Sequence, residues 1–294
     1  MVIYETEVMG MTYTQAVQLT KGLPEMEVAY EESVFHVTEN TGIKTYDKYK
    51  ISILLSDGIC AVMNDTVIHS RVGDVLFFRP DEIHFGRVLT AGVHRYLDLY
   101  IPLDYFSHFG VLCDKVAAFL EHREGQKGNC LRPQATDRAT LVKLAQDMAH
   151  TLKNGEKQAT LTTALRCFEV LSLCADRYDK GLSAVTDEAV PPCVRTAVAA
   201  ISAGYAEKMS LEQMAVDAGC SVTYLSRKFK EYVGCSVYAY LMQYRLAMAE
   251  RLLKGGKSIT EACYECGFYD CSHFIKCFKK QYGVTPRVYK KQPN

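Results

Sequence analysis

Through residues 1–110 the apolar positions arrive in short β-branched and aromatic runs, at 49–55 (Tyr-Lys-Ile-Ser-Ile-Leu-Leu), 66–69, 74–78 and 94–101. Ser56-Asp57-Gly58, Val72-Gly73-Asp74 and Arg79-Pro80-Asp81 separate them with residues that favour tight turns. Many short strands joined in this way predict a sandwich or small barrel. The period then changes. Over 137–154, Leu141, Leu144, Ala145, Met148 and Leu152 recur at helical spacing, and Gly155 is placed to stop that helix. A second helix is predicted over 159–178, where Leu161, Leu165, Phe168, Leu171, Leu173 and Ala175 form an apolar stripe. Residues 181–192, with Gly, Ser, Asp and a Pro-Pro pair, have linker composition.

After Pro192 the pattern is helical throughout, and it repeats. The ten residues from Ser210 to Gly219 align with the ten from Ser258 to Gly267, and each Gly is followed by a second helix, over 222–233 and 271–282. Leu225 and Phe229 point inward in one and Phe274 and Phe278 in the other, and a long helix over 237–253 bridges the copies. The chain therefore reads as α+β in three stretches: a β-rich region over 1–110, a helical linker over 111–185, and an all-α region over 190–294.

A helix-turn-helix needs a small residue where its helices cross, a turn residue tolerant of positive φ, and a second helix with a free outer face. Ala215 and Cys263 supply the first, Gly219 and Gly267 the second, and Ser221 and Asp270 cap the second helices. The outer face of the first recognition helix presents Val222, Thr223, Ser226 and Arg227. Arg227 is the strongest base reader, because a guanidinium bonds guanine bidentately. The second presents Cys271, Ser272, Ile275 and Lys276, a more apolar set suited to thymine methyls or shape. Lys228, Lys230, Lys279 and Lys280 are placed as phosphate contacts. The bridging helix spaces the copies by about one duplex turn, some 34 Å, so one chain reads two successive major-groove segments without a palindrome.

Net charge is zero over 294 residues, yet from Arg195 onward fifteen Lys and Arg stand against eight Asp and Glu. That imbalance puts the polyanion partner, double-stranded DNA, on the C-terminal part. Twelve cysteines are scattered through a chain with no signal-peptide layout and no apolar run of membrane length, so free thiols and a cytoplasmic location are expected. Cys263 and Cys266, with Cys271 and Cys277 nearby, have a spacing that can begin a metal or redox site. The helical reading accounts for them by packing, with no metal and no cofactor. A thiol-based redox sensor stays as the alternative.

The last hundred residues closely resemble the DNA-binding domain of the AraC/XylS family of bacterial transcription regulators. The resemblance rests on the repeat itself, on Tyr244, Arg245 and the run to Leu253, and on Gly267, Phe268, Phe274, Phe278, Gly283, Thr285 and Pro286. Cys263, Cys266 and Lys276 depart from the commoner residues. More weakly, the stretch from Gly73 to His84 is similar to the cupin-like sensor barrel of many such regulators. Residues 46–50 lack the histidines of a metal-binding cupin, so a cupin enzyme is not expected. The resemblance implies a homodimer held by Leu161, Leu165, Phe168 and Leu171, unless that stripe packs on its own barrel. It also implies RNA polymerase as a partner, activation more than repression, and a small-molecule effector such as a sugar or small acid. For the effector pocket the sequence offers His84, Arg95, Tyr96 and His36. His84 equally suits a satisfied barrel position, and Arg95 an exterior ion pair.

Overall fold

The computed structural model describes residues 10–17, 25–36, 43–44, 46–63, 66–80, 82, 84–121, 129–154, 160–179 and 188–291. The described residues within Met1–Glu39 and Thr45–Ala189 form one compact unit, and those within Asn40–Lys44 and Val190–Asn294 form another.

The first unit contains β1 (Gly10–Val17), β2 (Met26–Phe35), β3 (Tyr49–Leu54), β4 (Ile59–Met63), β5 (Thr66–His69), β6 (Val75–Phe78), β7 (His84–Val88), β8 (Gly92–Ile101), β9 (Cys130–Leu131) and β10 (Glu188–Ala189). They pair antiparallel in two sheets, a six-stranded one ordered β1-β2-β8-β3-β6-β9 and a four-stranded one ordered β10-β5-β4-β7. Among the described strands no ladder joins the sheets, so the expected barrel is not closed. The two sheets instead meet through side chains, Leu54, Leu76, Phe78 and Cys130 of the larger packing with Ala61, Met63 and Ile68 of the smaller.

Side-chain alternation along β8 gives the larger sheet two different faces. Leu97, Leu99 and Ile101 lie on one face with Ile51, Ile53, Val75 and Phe77, and that face is covered by α1 (Asp114–Glu121), α2 (Ala135–Asn154) and α3 (Thr160–Asp179). Tyr96, Asp98 and Tyr100 alternate to the face turned toward the smaller sheet. Because α2 and α3 share one core with the sheet, the helical stretch expected as a linker is a covering layer of the first unit. Ion pairs tie it down: Arg177 Nε lies 2.7 Å from Asp137 across α2 and α3, and Arg132 grips the buried Asp74 at 2.9 Å.

The stripe assigned to dimerisation splits. The side of α3 that packs inward carries Ala164, Cys167, Val170, Leu171, Cys174 and Ala175. Leu171 is therefore a core residue and unavailable to a partner, which corrects the sequence expectation. Phe168 is half-buried against Tyr105, Phe106 and Phe109 of a 3₁₀ segment (Tyr105–Leu112), while Leu161 and Leu165 are each 62% exposed. Apolar periodicity selected Leu161, Leu165, Phe168 and Leu171 together, yet a helix turned toward a sheet buries whichever side its neighbours reach.

The second unit is helical: α4 (Pro192–Gly204), α5 (Leu211–Asp217), α6 (Val222–Val233), α7 (Val237–Lys254), α8 (Ile259–Glu265), α9 (Cys271–Tyr282) and α10 (Pro286–Tyr289). Side-chain caps set where α6 to α9 begin. Ser221 and Ser236 each accept a backbone N–H at 3.2 Å, Asp270 accepts one at 2.8 Å, and Ser258 with Glu261 closes a reciprocal capping box. The second half of the domain packs Leu246, Ala249 and Leu253 of α7 against Ala262, Cys263, Cys266, Phe268, Phe274 and Phe278. Truncating Phe274 or Phe278, both fully buried, to Ala is expected to cost about 3–5 kcal/mol.

Candidate nucleic-acid interface

Each half of the second unit sets a short helix against a longer one, α5 against α6 and α8 against α9. Ala215 and Cys263, both buried, occupy the crossings. The intervening turns contain Gly219 and Gly267 at φ +64° and +77°, the left-handed region that glycine enters without a Cβ clash. Leu225, Phe229 and Val233 anchor α6, whose Phe229 meets Tyr240 of the bridging helix edge-on. Phe274 and Phe278 do the same for α9.

With those faces buried, Thr223 and Arg227 stand exposed on α6, and Val222 and Ser226 are half-buried beside them. On α9, Ser272, Ile275 and Lys276 are exposed. Cys271 is half-buried at the start of α9, packed against the core that holds Cys263 and Cys266. Lys230, Lys279 and Lys280 are exposed in the last turns of the two helices. Lys228 is different. Its ammonium lies 2.9 Å from Glu231 and over the Tyr232 ring, so the phosphate contact expected of it would have to break an ion pair.

Two exposed side chains on these helices escaped the sequence reading. Tyr224 lies one turn before Arg227, and His273 holds the matching place before Lys276. The spacing of three residues, which sets each ring on the same side of its helix as the cation that follows, was the available signal.

The two halves are braced together near α4. Arg245 of α7 is buried, donating from Nε to the Tyr205 carbonyl at 2.7 Å and from Nη2 to the Glu207 carbonyl at 2.8 Å. Burial works against its charge, and two backbone carbonyls take its donors in place of a carboxylate.

In the first unit the residues offered for an effector pocket fall in different places. His84 is buried and stacked on Phe78, with ring centroids 3.9 Å apart, and Tyr96 donates to Glu31 at 2.6 Å on the face between the sheets. Arg95, the next residue along β8, alternates to the outside, where it pairs with Glu32 at 3.1 Å. His36 is exposed at the end of β2. Neither lines the interior, because a one-residue step along a strand changes face.

What the interior holds is a buried ion pair that the sequence reading did not single out. Lys50 Nζ lies 2.7 Å from Asp98, and the rings of Tyr46, Phe78, Tyr96 and Tyr100 surround it at 5.0–5.7 Å. Ser52 and Tyr100 donate to the same carboxylate at 2.5 and 3.2 Å. Burial opposes the Lys50 charge, but the adjacent Asp98 carboxylate outweighs it and holds the ammonium protonated above its usual range. Alternation in β3 was the available signal: Lys50 and Ser52 interrupt the apolar positions of one face.

The cysteines are free thiols in the described structure. Burial pushes those of Cys167, Cys174, Cys263 and Cys266 up to about 12, which leaves little thiolate at neutral pH and weighs against redox sensing at these positions. No helix among the described residues is long and apolar enough to cross a membrane.

A helix-turn-helix domain family matches residues 214–292. The transcriptional regulator GbdR of Pseudomonas aeruginosa is 36% identical over 97 residues, 33% of this chain and 26% of that protein, so the match spans about a quarter of the relative's length. The transcriptional activator RhaS of Escherichia fergusonii is 25% identical over 272 residues, 90% of this chain and 86% of that protein. Among solved structures, a regulator with an AraC-type DNA-binding domain from Chromobacterium violaceum is 32% identical, covering 35% of this chain and 96% of that one, with a TM-score of 0.33.

Proposed function

We propose that the chain is a transcription regulator of the AraC type, acting as an activator, that reads two successive major-groove segments with α6 and α9; the helix-turn-helix family match over residues 214–292 and the similarity to RhaS over 272 residues support this reading. The observation that carries this reading is the pair of capped helices, each anchored by its buried residues and each presenting polar side chains outward with lysine in its last turn. Thr223, Ser226 and Arg227 on α6 and Ser272, Ile275 and Lys276 on α9 meet the bases, and Lys230, Lys279 and Lys280 meet the phosphates. RNA polymerase is the partner of the activated complex, and the cytoplasm is its place of action.

Control comes from a small molecule taken up between the two sheets of the first unit, beside Lys50, Asp98, Tyr96, Tyr100 and His84. Polar groups facing an otherwise apolar sheet interface support that placement. A sugar or small acid is the expected class. Leu161 and Leu165, exposed on α3, support a homodimer contact there.

The test is selection of bound duplexes from a random library by the full chain. The expected product is a motif of two boxes about one helical turn apart. Recovery of no enriched motif would sink the proposal.

A further inference from the structure

We propose that Tyr224 is a specificity-determining positioning residue: its ring holds the Arg227 guanidinium at the N-terminal end of the recognition helix, where base edges are read. The inference rests on the DNA-reading function proposed above and adds to it the device that aims the side chain.

Arg227 is exposed and has no ion pair among the described residues, so nothing acidic orients it. A long, free arginine samples many rotamers, and ordering it on a base costs conformational entropy. Its Cζ lies 5.6 Å from the centre of the Tyr224 ring, within the range where a guanidinium is attracted to an aromatic face. The backbone N–H of Tyr224 donates to the N-cap Ser221 at 3.2 Å, and the residue is 41% exposed.

The direction of the contact matters. Tyr224 is one turn toward the N-terminus of α6, and residues at that end of a recognition helix reach base edges. The neighbouring cation is drawn the other way: Lys228 is taken by Glu231 at 2.9 Å and by the Tyr232 ring, both one turn toward the C-terminus. Two adjacent positive charges are thus parted, one forward onto a ring and one back onto a carboxylate. In the second copy the matching ring is His273, whose Nε2 lies 3.3 Å from the Cys277 thiol, and Lys276 replaces the planar guanidinium. The forward platform belongs to the first copy.

The test uses the full chain and the duplex it selects from a random library, together with versions of that duplex substituted at each base pair in turn. Arg227→Ala is expected to lose discrimination at one base pair by about 5- to 150-fold. Tyr224→Ala is expected to lose about 2- to 5-fold at that same base pair, with binding to random duplex unchanged. Tyr224→Phe, which keeps the ring, retains discrimination, and Tyr224→Leu, which keeps only apolar bulk, does not. Combining Tyr224→Ala with Arg227→Ala adds nothing to the loss from Arg227→Ala alone. Equal weakening of selected and random duplex by Tyr224→Ala, or additive losses in the double variant, overturns the inference and leaves base reading by Arg227 intact. If Arg227→Ala changes discrimination nowhere, base reading by Arg227 fails, and the inference with it.

Discussion

A Cβ placed on Gly267 would stand 2.4 Å from the carbonyl oxygen of Ala206. The turn of the second helix-turn-helix is thus in backbone contact with the segment that follows α4, the same segment whose Tyr205 and Glu207 carbonyls are held by Arg245. Glycine is required there twice, once for its φ of +77° and once for its missing side chain.

Gly267→Ala should therefore destabilise the second unit by about 1–3 kcal/mol, through left-handed strain and the displaced Ala206 backbone. Denaturant unfolding followed by circular dichroism measures it. An unchanged midpoint would mean that the contact is not enforced in solution.

Lys50 and Asp98 should respond as a pair. Lys50→Met alone leaves a fully buried carboxylate without its cation and is expected to cost about 3–5 kcal/mol, whereas Lys50→Met with Asp98→Leu should recover most of that loss. Urea titrations of the single and double variants decide this, and additive losses would contradict it. If the interior takes an effector, the double variant is stable but unresponsive.

Acid should weaken the first unit through Glu32. The Tyr30 hydroxyl, then Lys153 and Arg95, hold its carboxyl at about 2, below the ordinary 4.5. A group whose folded value is depressed contributes stability that is fully present above 4.5 and is lost as pH falls toward 2. Wild-type chain should accordingly exceed Glu32→Gln in melting temperature at neutral pH, with the gap closing as pH falls from 4.5 to 2. A gap that stays constant over that window would show that the carboxylate charge is not what these partners stabilise.

Lys279, exposed in the last turn of α9, is placed at the phosphates and not at the bases by the proposed reading. Lys279→Ala is expected to weaken all duplexes alike and to lower the slope of log affinity against log salt by about one. Gel-shift titrations at several salt concentrations read both effects, and a loss confined to one sequence would move Lys279 into the base-reading set.

The helical half was legible because its determinants are local. Ser221, Ser258 and Asp270 cap helices whatever lies beyond them, Gly219 and Gly267 are demanded by turns of a few residues, and Phe229 and Phe278 recur at the helical period. A duplicated pattern doubled each of these signals. The strands at 49–55, 66–69, 74–78 and 94–101 were legible for the same reason.

What the sequence by itself determined about this protein is thus four of its strands, the two long helices of the first unit and the paired helices of the second with their outward side chains, whereas β1, β2, β4 and β7 were not picked out. Only the tertiary structure decided which neighbours those side chains acquired. Arg95 and Tyr96 are adjacent in the chain and face opposite sides of one strand, so register alone sent one to solvent and the other inward. Leu165 and Leu171 lie on one predicted stripe, and the position of the sheet buried only the second. Lys50 and Asp98 are 48 positions apart and are brought to 2.7 Å by the pairing of β3 with β8. Long-range pairing of this kind depends on the energy of the whole packed layer and leaves no periodic trace in the residues that take part.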